Sequence, residues 1–115
     1  MQISDDAFDQ AVNDALDQVP DEFWALLDNV AVLVEDDPPD DDPDLLGVYD
    51  GVPLTERDSN YDFVPPDRIV LYRNPLKAMA ATTTELVDEI AVTVVHEIGH
   101  YFGIDDDQLE EMGWG

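Results

Sequence analysis

Hydrophobic positions in the first twenty residues fall at helical spacing. Phe8, Ala11, Val12, Ala15, Leu16 and Val19 recur every three or four residues behind Ser4 or Asp5 as N-cap, which predicts an amphipathic helix whose outer face is nearly all Asp, Asn and Gln. Pro20 ends that helix. Asp21-Glu22-Phe23-Trp24-Ala25-Leu26-Leu27-Asp28 restarts a shorter one, with acids suited to its first turn and Trp24 assigned to the core. The period then changes. Val30-Ala31-Val32-Leu33-Val34-Glu35 is a continuous β-branched run, the pattern of a strand buried on both faces.

Asp36-Asp37-Pro38-Pro39-Asp40-Asp41-Asp42-Pro43-Asp44 breaks regular structure and reads as a mobile acidic loop; it lacks the glycine and terminal glutamate of an EF-hand calcium loop. Leu45 to Tyr49 is a short second strand ended by Asp50-Gly51. The stretch from there to Pro65-Pro66 has no periodicity, and loops of that length in compact domains often serve function, so Arg57, Tyr61 and Phe63 are candidates for a cleft wall. Arg68 to Arg73 is a third strand, closed by Asn74-Pro75.

The longest pattern follows. Thr82 with Glu85 three residues on is a capping-box signature, and Leu86, Ile90, Val94, Ile98 and Phe102, flanked by Val87, Ala91 and Val95, make one broad apolar face. Gly99 interrupts this helix at a cost of about 1 kcal/mol relative to alanine, which implies a neighbouring backbone passing close to it. Three strands among helices in one short chain give an α+β class, a small mixed three-stranded sheet packed on helices.

Composition sets limits on this picture. A chain of 115 residues with 44% apolar residues supports one domain, residues 1–115, with a single core. Twenty-nine acidic against four basic residues give a net charge of −25, which argues against nucleic acid or an anionic membrane as partner, because phosphate contacts need Lys and Arg. The basic residues, Arg57, Arg68, Arg73 and Lys77, are read as neutralising nearby acids. There is no cysteine, so only His and carboxylates are available as protein ligands for zinc. No apolar run spans a bilayer and the N-terminus lacks a signal-peptide pattern, so the expected location is cytoplasmic.

The candidate chemistry lies in the last helix. Both histidines of the chain, His96 and His100, are four residues apart, and Glu97 directly follows the first. On a helix the i and i+4 side chains share a face, so the two imidazoles can converge on one metal ion, while Glu97, about 100° round, can lean over the same cleft and take a proton from a water the metal activates.

His96-Glu97-Ile98-Gly99-His100, followed by Tyr101-Phe102-Gly103-Ile104-Asp105-Asp106, resembles the extended zincin signature H-E-x-x-H-x-x-G-x-x-(H/D). Together with its length and the Arg68-to-Pro75 stretch before the motif helix, the chain resembles the short bacterial minimal zincins, a family of metallopeptidases. That resemblance implies a minimal zincin-like fold, Zn2+ as cofactor, His96, His100 and Asp106 as metal ligands, and Glu97 as catalytic general base. Gly103 would take a left-handed conformation and turn the chain so that Asp106 reaches the metal. Asp105 and Asp107 flank Asp106 as alternative donors; the count from His96 selects Asp106. Zincins pair extended substrate with an edge strand above the site helix, so the second or third strand is expected to meet a peptide or protein substrate. The larger metzincins carry a Met-turn segment, for which this chain offers only Met112.

Two functions of different class follow. One is a zinc-dependent metallopeptidase that hydrolyses peptide bonds; the other is a non-catalytic zinc-stabilised binding protein that keeps the motif. Glu97 favours the first, since a structural site gains little from a carboxylate beside an open coordination position, while the short chain favours the second.

Overall fold

The structure is a computed structural model, describing residues 1–27, 30–51 and 67–114. The expected cleft-wall residues Arg57, Tyr61 and Phe63 lie outside them.

α1 (Asp5–Gln18) begins where Ser4 Oγ accepts a hydrogen bond from the Ala7 N–H, and it buries Phe8, Ala11, Val12 and Ala15. After Pro20, α2 (Asp21–Trp24) is a single turn, shorter than the apolar run suggests, and it is Phe23 that is fully buried while Trp24 lies at the core margin. Three strands follow among the described residues: β1 (Val30–Glu35), β2 (Gly47–Asp50) and β3 (Asp67–Tyr72). Their order is β1-β3-β2, with β1 parallel and β2 antiparallel to β3. The sheet is therefore mixed, and its central strand is the third in sequence.

This order corrects two expectations. Among the described residues Val30–Glu35 pairs only with β3, and Leu33 is 41% exposed, so it is an edge strand with a face open to solvent and not a strand covered on both faces. β3 holds the centre, with Ile69 and Leu71 in the main core and Val70 and Tyr72 also buried. As a central strand it cannot offer an edge to a peptide, which leaves β2.

Arg73 opens a helix instead of ending a strand. In α3 (Arg73–Ala78), Pro75 occupies the first turn, where its missing N–H costs no helical bond. Arg73 ties several segments together: it pairs with Asp36, lies 3.6 Å from both Asp5 and Asp9 of α1, and covers the Phe8 ring at 5.4 Å. Asn74 donates through its backbone to the Asp36 carbonyl and through its side chain to Asp37, so the start of the acidic loop is pinned. Arg68 pairs with Asp50 directly across the β2–β3 ladder. Two of the four basic residues thus neutralise nearby acids.

α4 (Thr83–Tyr101) runs against α1 on one side and the sheet on the other. Thr82 Oγ1 caps the Glu85 N–H at 3.1 Å, while Glu85 reaches back to the N–H of Ala81, one residue before the cap. Leu86, Ile90, Val94, Val95 and Ile98 are fully buried, but Phe102 is the C-cap and 37% exposed. Gly103 has φ +78°; its N–H bonds the His100 carbonyl and that of Ile104 bonds the Gly99 carbonyl, a Schellman turn. The acidic tail then forms α5 (Asp106–Glu111), whose Leu109 is fully buried. No helix among the described residues is long and apolar enough to cross a membrane.

Candidate metal centre

His96 and His100 emerge from the last two turns of α4, and their ring centroids lie 5.9 Å apart. His96 is 27% exposed and His100 51%. The Schellman turn at Gly103 reverses the chain, and α5 starts beneath the second imidazole. Asp105, the N-cap of α5, accepts from the Gln108 N–H at 2.8 Å, and the Gln108 side chain accepts from the Asp105 N–H at 3.1 Å, a complete capping box. That occupies Asp105. Asp106, the next residue, lies 2.9 Å from His100 Nε2 and 3.8 Å from His96 Nδ1 through the same carboxylate oxygen.

One donor atom from each of His96, His100 and Asp106 therefore falls within 4.8 Å of the others. A four-coordinate zinc with bonds near 2.1 Å sets its donors about 3.4 Å apart, and the 2.9 and 3.8 Å separations bracket that value. Two imidazoles and a carboxylate are a donor set zinc accepts, and three protein donors leave a fourth position for water or substrate. The residues fit the ion.

Glu97 faces the same space. Its carboxylate is 3.7 Å from His100 Nδ1 and accepts the backbone N–H of Tyr49. Burial pushes its pKa above the ordinary 4.5, with His100, the Tyr49 N–H and His96 acting against that rise. The hydrogen bond to Asp106 pushes the His100 pKa up, and the same bond pulls that of Asp106 down.

β2 forms the wall. Tyr72 N–H bonds the Leu46 carbonyl, which fixes Val48 and Asp50 as the residues bonding inward to β3 and turns Gly47 and Tyr49 outward, toward α4. At Gly47 a Cβ would come within 3.0 Å of Thr93 Cγ2 and of the Val70 carbonyl, so the strand lies too close to α4 for a larger residue. The result is an open groove of ≈ 380 Å³ along α4, with Glu89, Thr93, His96, Glu97 and His100 on one side and Asp42 to Gly47 on the other.

Gly99 answers to a side chain, not to the passing backbone expected: an added Cβ would sit 3.2 Å from both Leu109 methyls. Met112 caps α5 and is 42% exposed. Two contributors escaped the sequence reading, and so did the capping role of a third, Asp105. The Tyr49 N–H and the Trp114 carbonyl, 2.7 Å from His96 Nε2, are backbone groups without a residue signature. Asp105 had one, the Asp-x-x-Gln spacing ahead of a helix.

A family model described as zincin-like metallopeptidase matches residues 27–114. Among solved structures, a conserved hypothetical protein from Thermus thermophilus is similar in fold, with TM-score 0.52 and 22% identity over 87% of this chain and 94% of that one. No curated protein matches the chain.

Proposed function

The chain belongs to the zincin-like metallopeptidase family, and from that premise we propose that it is a zinc-dependent peptidase, with His96, His100 and Asp106 holding the ion and Glu97 as general base. The observation that carries this is the convergence of three donor atoms within 4.8 Å at one end of a groove that Glu97 also lines. When bound, zinc polarises the scissile carbonyl and acidifies the attacking water. Glu97 takes the proton of that water as oxygen adds to the carbonyl carbon, and passes it to the leaving nitrogen as the C–N bond breaks. Its raised pKa brings it nearer the range in which a carboxylate exchanges protons at neutral pH. The open groove along α4, which the segment leading into β2 lines on its other side, is where an extended peptide would lie.

Zinc content and cleavage of a peptide library, measured in wild type and Glu97→Gln, test the proposal. Glu97→Gln should keep its zinc and lose cleavage by about 10² to 10⁴ in rate. Wild type that binds zinc but cleaves nothing would point instead to a non-catalytic zinc-stabilised binding protein. Loss of zinc from Glu97→Gln would make Glu97 a ligand.

A further inference from the structure

The groove along α4 carries charge that the metal centre does not use. Beyond the site residues, Gly47 and Thr93, it is lined by Asp42, Asp44, Leu45, Leu46, Glu89 and Val92, and no Lys or Arg among the described residues joins them. The Thr93 hydroxyl is spent on the Glu89 carbonyl at 2.8 Å, so the polar side chains left to meet a ligand there are three carboxylates. Among the described residues, those of Asp42, Asp44 and Glu89 have no ion-pair or hydrogen-bond partner, whereas Asp36 and Asp37 of the same acidic stretch are taken up by Arg73 and Asn74. Like charges on facing walls repel, and the approach is imposed by the backbone, since β2 seats Gly47 against α4 with no room for a Cβ. A cation entering the groove relieves that repulsion. The rest of the lining, Leu45, Leu46 and Val92, is half-buried and apolar. Aliphatic surface beside carboxylates matches a side chain with an apolar stem and a cationic head.

Helix geometry sets the distance from the metal. Glu89 precedes His96 by seven residues, nearly two turns, so the two share a face of α4. They are about 10 Å apart along the axis, the length of about three residues of extended peptide. We propose that the groove selects peptides carrying lysine or arginine about three residues from the bond held at the metal, with Asp42, Asp44 and Glu89 as the specificity-determining residues. The inference rests on this groove being the one that receives substrate; the preference for a cation is a property of binding and is read without turnover. An acidic peptide meets three unpaired carboxylates and is rejected.

Fluorescence anisotropy with zinc-loaded Glu97→Gln, which should not consume the probe, makes the test. The probes are two fluorescein-labelled peptides that differ only in a Lys-Lys or a Glu-Glu pair, and the first should bind about tenfold more tightly or better. Because a net charge of −25 attracts any cation, variants locate the effect. Asp44→Asn with Glu89→Gln should weaken the Lys-Lys peptide roughly fivefold or more. Asp17→Asn with Glu22→Gln removes the same charge from exposed positions outside the groove and should change it less than about twofold. Equal loss in the two double variants, equal affinity for the two peptides, or binding of neither would overturn the inference. In wild type, a peptide series with one lysine moved along the chain should be cut fastest with that lysine about three residues from the cleaved bond. Cleavage indifferent to the lysine would overturn the inference and leave the peptidase standing, whereas lysine-selective binding without cleavage would remove the peptidase and leave the preference of the groove in place.

Discussion

His100 and Asp106 hold each other in charged form in the metal-free protein, and the signs of their shifts define a pH window. The folded-state pKa of Asp106 is depressed below 3.8, so its contribution to stability is present above that value and is lost as pH falls through the depressed pKa. That of His100 is raised above 6.5, so its contribution is present below that value and is lost as pH rises through the raised pKa. Both hold between 3.8 and 6.5. The difference in urea midpoint between wild-type and Asp106→Asn apoprotein should therefore be largest inside that window and shrink on both sides; a pH-independent difference would show that the pair is not ionic. At this scale much of the candidate site was legible. The spacing of His96, Glu97 and His100 is a statement about helix geometry, which the chain obeys. Counting picked Asp106 from three consecutive aspartates, and the capping duty of Asp105 gives a physical reason why its neighbour is the one beside the imidazoles. Backbone donors and acceptors from distant elements, such as Tyr49 and Trp114, carry no such mark.

Among elements, the two long helices, α1 and α4, were the readable ones, since their apolar period is sustained and Ser4, Thr82 and Gly103 each act through neighbours in sequence. The strands were readable as strands, but their order was not. Val30–Glu35 and Asp67–Tyr72 each carry an apolar run of four residues or more, and which of them sits in the middle depends on pairing across more than thirty residues, to which periodicity is blind. α5 has no periodic signal, because Leu109 is its single apolar anchor. That anchor should matter twice. Leu109→Ala removes a fully buried side chain and should cost about 2 to 5 kcal/mol in urea unfolding. It should also weaken zinc binding in a competition titration with a chromogenic chelator, since Asp106 and Trp114 both hang from the helix it anchors. Zinc affinity unchanged alongside the lost stability would mean that α5 keeps its place without Leu109.

For the whole molecule, the core contains none of the three candidate metal ligands. It is assembled from β3 and helices α1 to α5, including Phe8, Phe23, Ile69, Leu76, Ile90 and Leu109, and α1 contributes although it precedes the span matched by the family. Chelator should therefore lower the melting temperature without abolishing the cooperative transition, and zinc at a hundredfold excess over its Kd should add about 2.7 kcal/mol. A chain that melts without a transition in chelator would belong to the folds that need their ion. Self-repulsion from a net charge of −25 opposes compaction, so added potassium chloride should raise the melting temperature of apoprotein until the Debye length falls to about 3 Å near 1 M. A flat response would mean that the local pairs of Arg68 and Arg73 already balance the field.

The six residues of α5 also act as a caliper. At about 1.5 Å per residue the helix advances about 9 Å, and this travel separates the side chain placed at one imidazole from the carbonyl placed at the other. One residue more or fewer between Gly103 and Gly113 would swing the exit by about 100° and carry the Trp114 carbonyl off His96. Substitutions on its outer face leave that gauge untouched. On that outer face change is thus permitted in letter, while in the whole segment it is forbidden in count, whereas the acidic stretch before β2 has no such ruler to keep.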